Sequence, residues 1–124
     1  MRPRILIAAR SVLAMNVYRL LLSPWEPDII MASRFAEARP WFYRAGRLDL
    51  AVFHSDIFVP SLERFENGLK GEGLFAATKK IFVCGSSPRE RRWQKALSKV
   101  PASYVIERPF STDEFKGFIK KVLR

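Results

Sequence analysis

The chain has 124 residues and a formal charge of +10, with 48% of residues hydrophobic and 27% charged. That length suits one domain, residues 1–124, around one ordinary core, and the composition excludes a disordered chain. A single cysteine, Cys84, excludes an internal disulfide framework and fits a reducing cytosol.

Arg4–Ala9 is a short apolar run rich in isoleucine and leucine, the pattern of a strand buried on both faces. Arg10 and Arg19 interrupt the apolar character before it reaches membrane length, so no membrane insertion is expected. Ser11 can cap a helix from Val12 to about Leu22, and Ser23-Pro24 ends it. This helix is apolar on most sides; only Asn16 and Arg19 mark a wet face. Asp28–Ala32 is a second strand. Ser33 or Arg34 opens a helix to about Ala45, with Gly46 as its stop. Pro40 falls inside it, so the helix either starts near Pro40 or kinks there.

Asp49–His54 is the third strand, and a short helix is expected around residues 61–69. Lys80–Cys84 is the fourth strand. Ser87, Pro88 and Glu90 together mark a helix start, as N-cap, first helical residue and capping-box partner. Trp93, Ala96, Leu97 and Val100 form its buried stripe, and Pro101 ends it. Tyr104–Ile106 is the fifth strand. Ser111 and Glu114 have capping-box spacing, and Phe115, Phe118, Ile119, Val122 and Leu123 make one apolar stripe on a final helix.

Five strand–helix units with buried strands predict an α/β fold: a five-stranded, doubly wound parallel sheet of flavodoxin-like order 2-1-3-4-5. A functional crevice is then expected at the carboxyl ends of strands one and three.

The ending Glu107-Arg108-Pro109-Phe110 before the last helix resembles the Lys-Pro-Phe of response-regulator receiver domains. The resemblance covers the whole chain at the level of fold and implies a two-component signalling module. An active receiver phosphorylates an aspartate after its third strand, aided by a magnesium ion, a hydroxyl and the lysine. Here the acidic pair that holds the ion falls on Ala9 and Arg10, neither of which can bind a hard cation. The acceptor falls on His54, counted from Asp49. A rival alignment through Asp56-Ile57-Phe58-Val59-Pro60 puts Asp56 there, at the cost of two extra residues. The hydroxyl position falls on Gly85, beside Ser86, and the lysine on Arg108.

The chain thus resembles a degenerate, or pseudo-, receiver. No catalytic residue, metal or cofactor is expected, and the protein is expected to be a cytoplasmic non-enzyme. A guanidinium–carboxylate contact from Arg10 or Arg108 to Asp56 is expected to fill the space of metal and phosphoryl group.

Charge is uneven: residues 1–78 carry ten Lys/Arg and eight Asp/Glu, residues 79–124 twelve and four. A protein partner, acidic or a second copy, is the first expectation, with nonspecific nucleic-acid binding second and a phospho-acceptor at Asp56 third. A plainly solvated surface shows the same asymmetry. In the family the fourth helix, fifth strand and fifth helix form a common output face. It maps here onto Arg91, Arg92, Lys95, Lys99, Lys116, Lys120 and Lys121.

Overall fold

The computed structural model describes residues 2–42, 48–58 and 77–123. The helix expected around residues 61–69 lies outside them. The described elements are β1 (Arg4–Ala8), α1 (Val12–Leu22), β2 (Asp28–Ala32), α2 (Phe35–Ala38), β3 (Leu50–His54), β4 (Lys80–Cys84), α3 (Pro88–Leu97), β5 (Ser103–Glu107) and α4 (Thr112–Val122). The strands form one parallel five-stranded sheet in the order β2-β1-β3-β4-β5.

Alternation along the central strands divides the core in two. Leu6, Ala8, Phe53, Phe82 and Cys84 face one layer, packed with Ala38, Phe42, Leu97 and the half-buried Trp93. Ile5, Ile7, Val52, Ile81 and Val83 face the other, against Met15, Tyr18 and Leu22 of α1 and Phe115, Ile119 and Val122 of α4. Period-two side-chain direction makes this split unavoidable once a strand is covered on both faces. Each buried Phe, Leu or Ile contributes about 1.5–3 kcal/mol relative to exposure.

Three local signals set helix starts. Ser11 Oγ accepts the Ala14 N–H at 3.1 Å, and Ser87 Oγ accepts the Glu90 N–H at 3.1 Å. At α4 the full capping box forms, with Ser111 and Glu114 each accepting the other's N–H.

Two expectations are corrected here. The helix expected from Ser33 or Arg34 to about Ala45 is, over the described residues, a single α-helical turn, Phe35–Ala38, that tightens into a 3-10 helix over Arg39–Phe42; its expected end and the Gly46 stop lie outside them. Pro40 is the reason, since it has no N–H to continue the α ladder. At α3, only half of the expected capping box forms: Ser87 caps the helix, but the Glu90 carboxylate accepts the Gly85 N–H instead. Among the described residues, no helix is long and apolar enough to cross a membrane.

Candidate functional site: the crevice at the carboxyl edge of the sheet

Parallel strands deliver their last residues to one edge. There β3 ends in His54, β4 is followed by Gly85, and β5 is followed by Arg108, whose N–H donates to Cys84 O at 2.8 Å. A 3-10 turn, Ser55–Phe58, carries Ser55 and Asp56 past the edge.

Arg108 is the hub. Its Nη1 donates to His54 Nε2 at 3.0 Å, and its Nη2 donates to Ser55 Oγ at 2.8 Å and Glu90 Oε1 at 3.1 Å. A guanidinium only donates, so His54 Nε2 must be bare. The ring proton therefore sits on Nδ1 and donates to Tyr18 Oη, 2.5 Å away. The neutral imidazole links α1 to Arg108, and Arg108 links it to α3. Tyr18 is held in turn by stacking on Phe115, with ring centroids 6.0 Å apart. One donor of the hub, Arg108 Nε, is buried without a hydrogen-bond partner among the described residues.

The charges agree with this assignment. Burial, helped by the Arg108 charge, lowers the His54 pKa from its usual 6.5, against the opposing pull of Asp56 and Glu90. Burial also raises the Tyr18 hydroxyl well above its usual range. For Glu90, burial pushes upward, but hydrogen bonds from Ser55 and the Gly85 N–H, with the Arg108 charge, hold the carboxyl below its usual range.

Gly85 admits this arrangement. A Cβ there would lie 2.6 Å from Glu90 Oε2 and 3.2 Å from Arg108 Nη2. Any side chain at the hydroxyl position must push the Glu90 carboxylate aside. The Gly85 N–H is taken by Glu90 and so is not free to bind an anion. Ser86 is exposed beside it. Cys84 is buried, and burial pushes its thiol up to about 12, so it acts as a small apolar side chain.

Asp56 overturns the expected charge pair. Its carboxylate accepts the backbone N–H groups of Arg10 and Ser11, both at 2.9 Å, and so closes the N-terminus of α1. No acid stands in the first turn of that helix, and the Asp56 charge takes that place. Arg10 is exposed, and its guanidinium makes no ion pair among the described residues. Arg108 pairs with Glu90, not Asp56. Thermal melts should therefore separate the two residues: Arg10→Ala stays within about 0.5 kcal/mol of wild type, whereas Asp56→Ala loses about 1–2 kcal/mol.

The groups do not fit the magnesium ion implied by the resemblance. Ala9 offers no ligand, Arg10 carries the wrong charge, and both Asp56 oxygens are engaged by amides. Among the described residues, no cluster of three His, Cys, Asp or Glu side chains could hold a metal. What remains is an open cavity of about 370 Å³ lined by His54, Ser55, Asp56, Ser87, Arg89, Glu90, Trp93 and Arg108.

Sequence reasoning brought Ala9, Arg10, His54, Asp56, Gly85, Ser86 and Arg108 to one edge, and the structure places all seven there. It missed Tyr18, Ser55 and Glu90 as members. Tyr18 had a signal, seven residues after the Ser11 cap on the buried side of α1.

The basic residues divide between two places. Arg91, Arg92 and Lys95 are exposed on α3 and Lys99 in the turn after it, with Arg91 Nε 3.1 Å from Glu107 Oε1. Lys121 is exposed on α4, while Lys116 and Lys120 border a groove shared with Pro24 and Trp25.

Stability should depend on pH through His54. Its folded-state pKa is lowered, so the fold prefers the neutral ring; this contribution is complete above about 6.5 and is lost as pH falls through the lowered value. Tyr18 and Arg108 hydrogen-bond the ring, and the charges of Asp56, Arg108 and Glu90 act on it. Glu90 adds a loss of the same sign at lower pH. Melts between pH 7.5 and 5, both about the range of the His transition, should show a falling Tm that flattens in His54→Gln.

No family profile and no curated protein matches the chain. Solved structures do. A CheY-like receiver domain protein from Methanospirillum hungatei JF-1 superposes with a TM-score of 0.74 at 20% identity, over 99% of this chain and 94% of that one. Chemotaxis response regulator CheY4 of Vibrio cholerae gives 0.75 at 13% identity, over 99% and 100%. The signal receiver domain of a LuxO repressor protein from Vibrio parahaemolyticus gives 0.74 at 18%, over 99% and 91%. With its strand order and end-to-end superposition, the chain has the CheY-like receiver fold.

Proposed function

We propose that the chain is a receiver-like signalling module that works without phosphoryl transfer, by binding a protein partner, and that it is not an enzyme. The observation that carries this reading is the Arg108 hub: one guanidinium bonded to His54, Ser55 and Glu90 fills the ground where an incoming phosphoryl group needs free donors. A receiver's switch depends on a hydroxyl and a lysine moving toward a new anion. Here the hydroxyl position is Gly85, and the cation is already paired with Glu90. The partner surface on this reading comprises the exposed Arg91, Arg92 and Lys95 of α3, Lys99 in the turn after it, and Lys121 of α4. Such a face suits an acidic protein surface and speeds its encounter.

Incubation with magnesium and acetyl phosphate, or with beryllofluoride, tests the reading. The expected result is no phosphoryl mass gain and no saturable NMR shift. Saturable shifts centred on His54 or Asp56 would restore a phospho-accepting role.

A further inference from the structure

Helix α1 is apolar nearly all round, which in a globular domain normally means cover on every side. It is not covered here. Leu13, Val17 and Leu20 are 75%, 42% and 68% exposed. With the exposed Pro24 of the following 3-10 turn they recur at spacings of four, three and four, a single seam. That is the spacing by which one helix packs on another.

The seam leads into a groove of about 450 Å³ between the Ser23–Trp25 turn and α4, lined by Pro24, Trp25, Asp113, Lys116, Gly117 and Lys120. Gly117 stands mid-helix, and a Cβ added there meets nothing within 4 Å. The internal packing therefore does not require glycine, although glycine weakens a helix interior. Its use there is to let a second backbone come close. Lys116 and Lys120, one turn apart, form a basic edge offset only by Asp113 among the lining residues. A second copy of this chain would bring those lysines against lysines, so charge favours an acidic occupant.

We propose that this groove binds an acidic amphipathic helix of a partner protein. Its apolar face covers Leu20, Pro24 and Trp25, and its carboxylates pair with Lys116 and Lys120. Trp25 precedes β2, so the surface extends to the edge of the sheet opposite the crevice, and it stands independently of whether the crevice takes a phosphoryl group.

The test is an NMR titration of the full chain with a synthetic helical peptide carrying leucine on one face and glutamate on the other. A charge-matched peptide with serine for leucine is the control. Saturable shifts are expected at the Trp25 indole N–H and the Gly117 amide, with binding about tenfold weaker for the serine peptide. Leu20→Ser, and Lys116→Glu combined with Lys120→Glu, should each weaken binding by about tenfold. Their side chains reach solvent, so the variants fold, as unchanged melts will verify. Gly117→Ala should melt higher yet bind less tightly. Equal binding of both peptides, shifts confined to α3, or wild-type affinity in the Leu20 and lysine variants overturns the proposal. Concentration-dependent shifts at the same residues without peptide also overturn it, by making a second copy the occupant.

Discussion

Phe115→Ala should destabilise the fold by about 3–5 kcal/mol and release the crevice at the same time. Phe115 is fully buried. Its ring stacks on Tyr18 at 6.0 Å and on Phe110 at 5.4 Å, each at an interplanar angle of 23°. Truncation removes the transfer energy of the ring and leaves a cavity that three anchored neighbours, Tyr18, Phe110 and Ile119, cannot collapse into. Tyr18 then loses the surface that holds its hydroxyl against His54. Urea unfolding of Phe115→Ala and Phe115→Leu checks this, with the leucine variant costing less than about 2 kcal/mol. A loss below about 1 kcal/mol for alanine would mean that the ring does not bear on the core as described.

Arg108→Ala should cost about 2–3 kcal/mol, which is below the range for a fully buried pair. The discount follows from exposure, since the Arg108 and Glu90 side chains are 33% and 22% accessible. The loss arises mainly from what is left behind: a carboxylate stripped of its cation and held only by Ser55 and the Gly85 N–H, and a bare imidazole nitrogen. Arg108→Lys keeps the charge but cannot reach three acceptors in a planar fork, so it should recover about half of the loss. A double-mutant cycle with Glu90→Gln should give a coupling of about 1–2 kcal/mol, and strict additivity would reject the hub.

The fold was legible because its signals are local. Residues Lys80–Cys84 have nothing but apolar side chains after the lysine, and Ser87 as cap with Pro88 at the first helical position then starts a helix. The strand bounds and the helix start agree with the sequence reading, while the helix closes at Leu97, short of the expected end at Pro101. The strand Tyr104–Ile106 lengthens by one residue at each end, to Ser103–Glu107, where polar residues join a ladder whose neighbour dictates pairing.

The site was legible only as positions. Counting along strands brings His54, Gly85 and Arg108 to one edge, but it does not say which carboxylate an arginine will choose. Glu90 won Arg108 because Gly85 leaves it room to bend back toward the β4 turn, away from Ser87. Asp56 was lost to both arginines because two backbone amides just ahead of α1 bind it without fixing a long side chain, at a smaller entropic cost. Such choices depend on distances between residues far apart in the chain, and periodicity does not encode those.

That Asp56 cap also bears on how the molecule opens. Amides at and just before the N-cap of a helix have no acceptor within the helix and normally exchange freely with solvent hydrogen. Those of Arg10 and Ser11 are tied to a carboxylate 46 and 45 residues further along the chain. Their exchange is governed not by fraying of α1 but by separation of β1 from the β3 turn. Two amides at the start of a helix thus become reporters of a long-range opening, which sets them apart from the ordinary gradient of slow centres and fast ends.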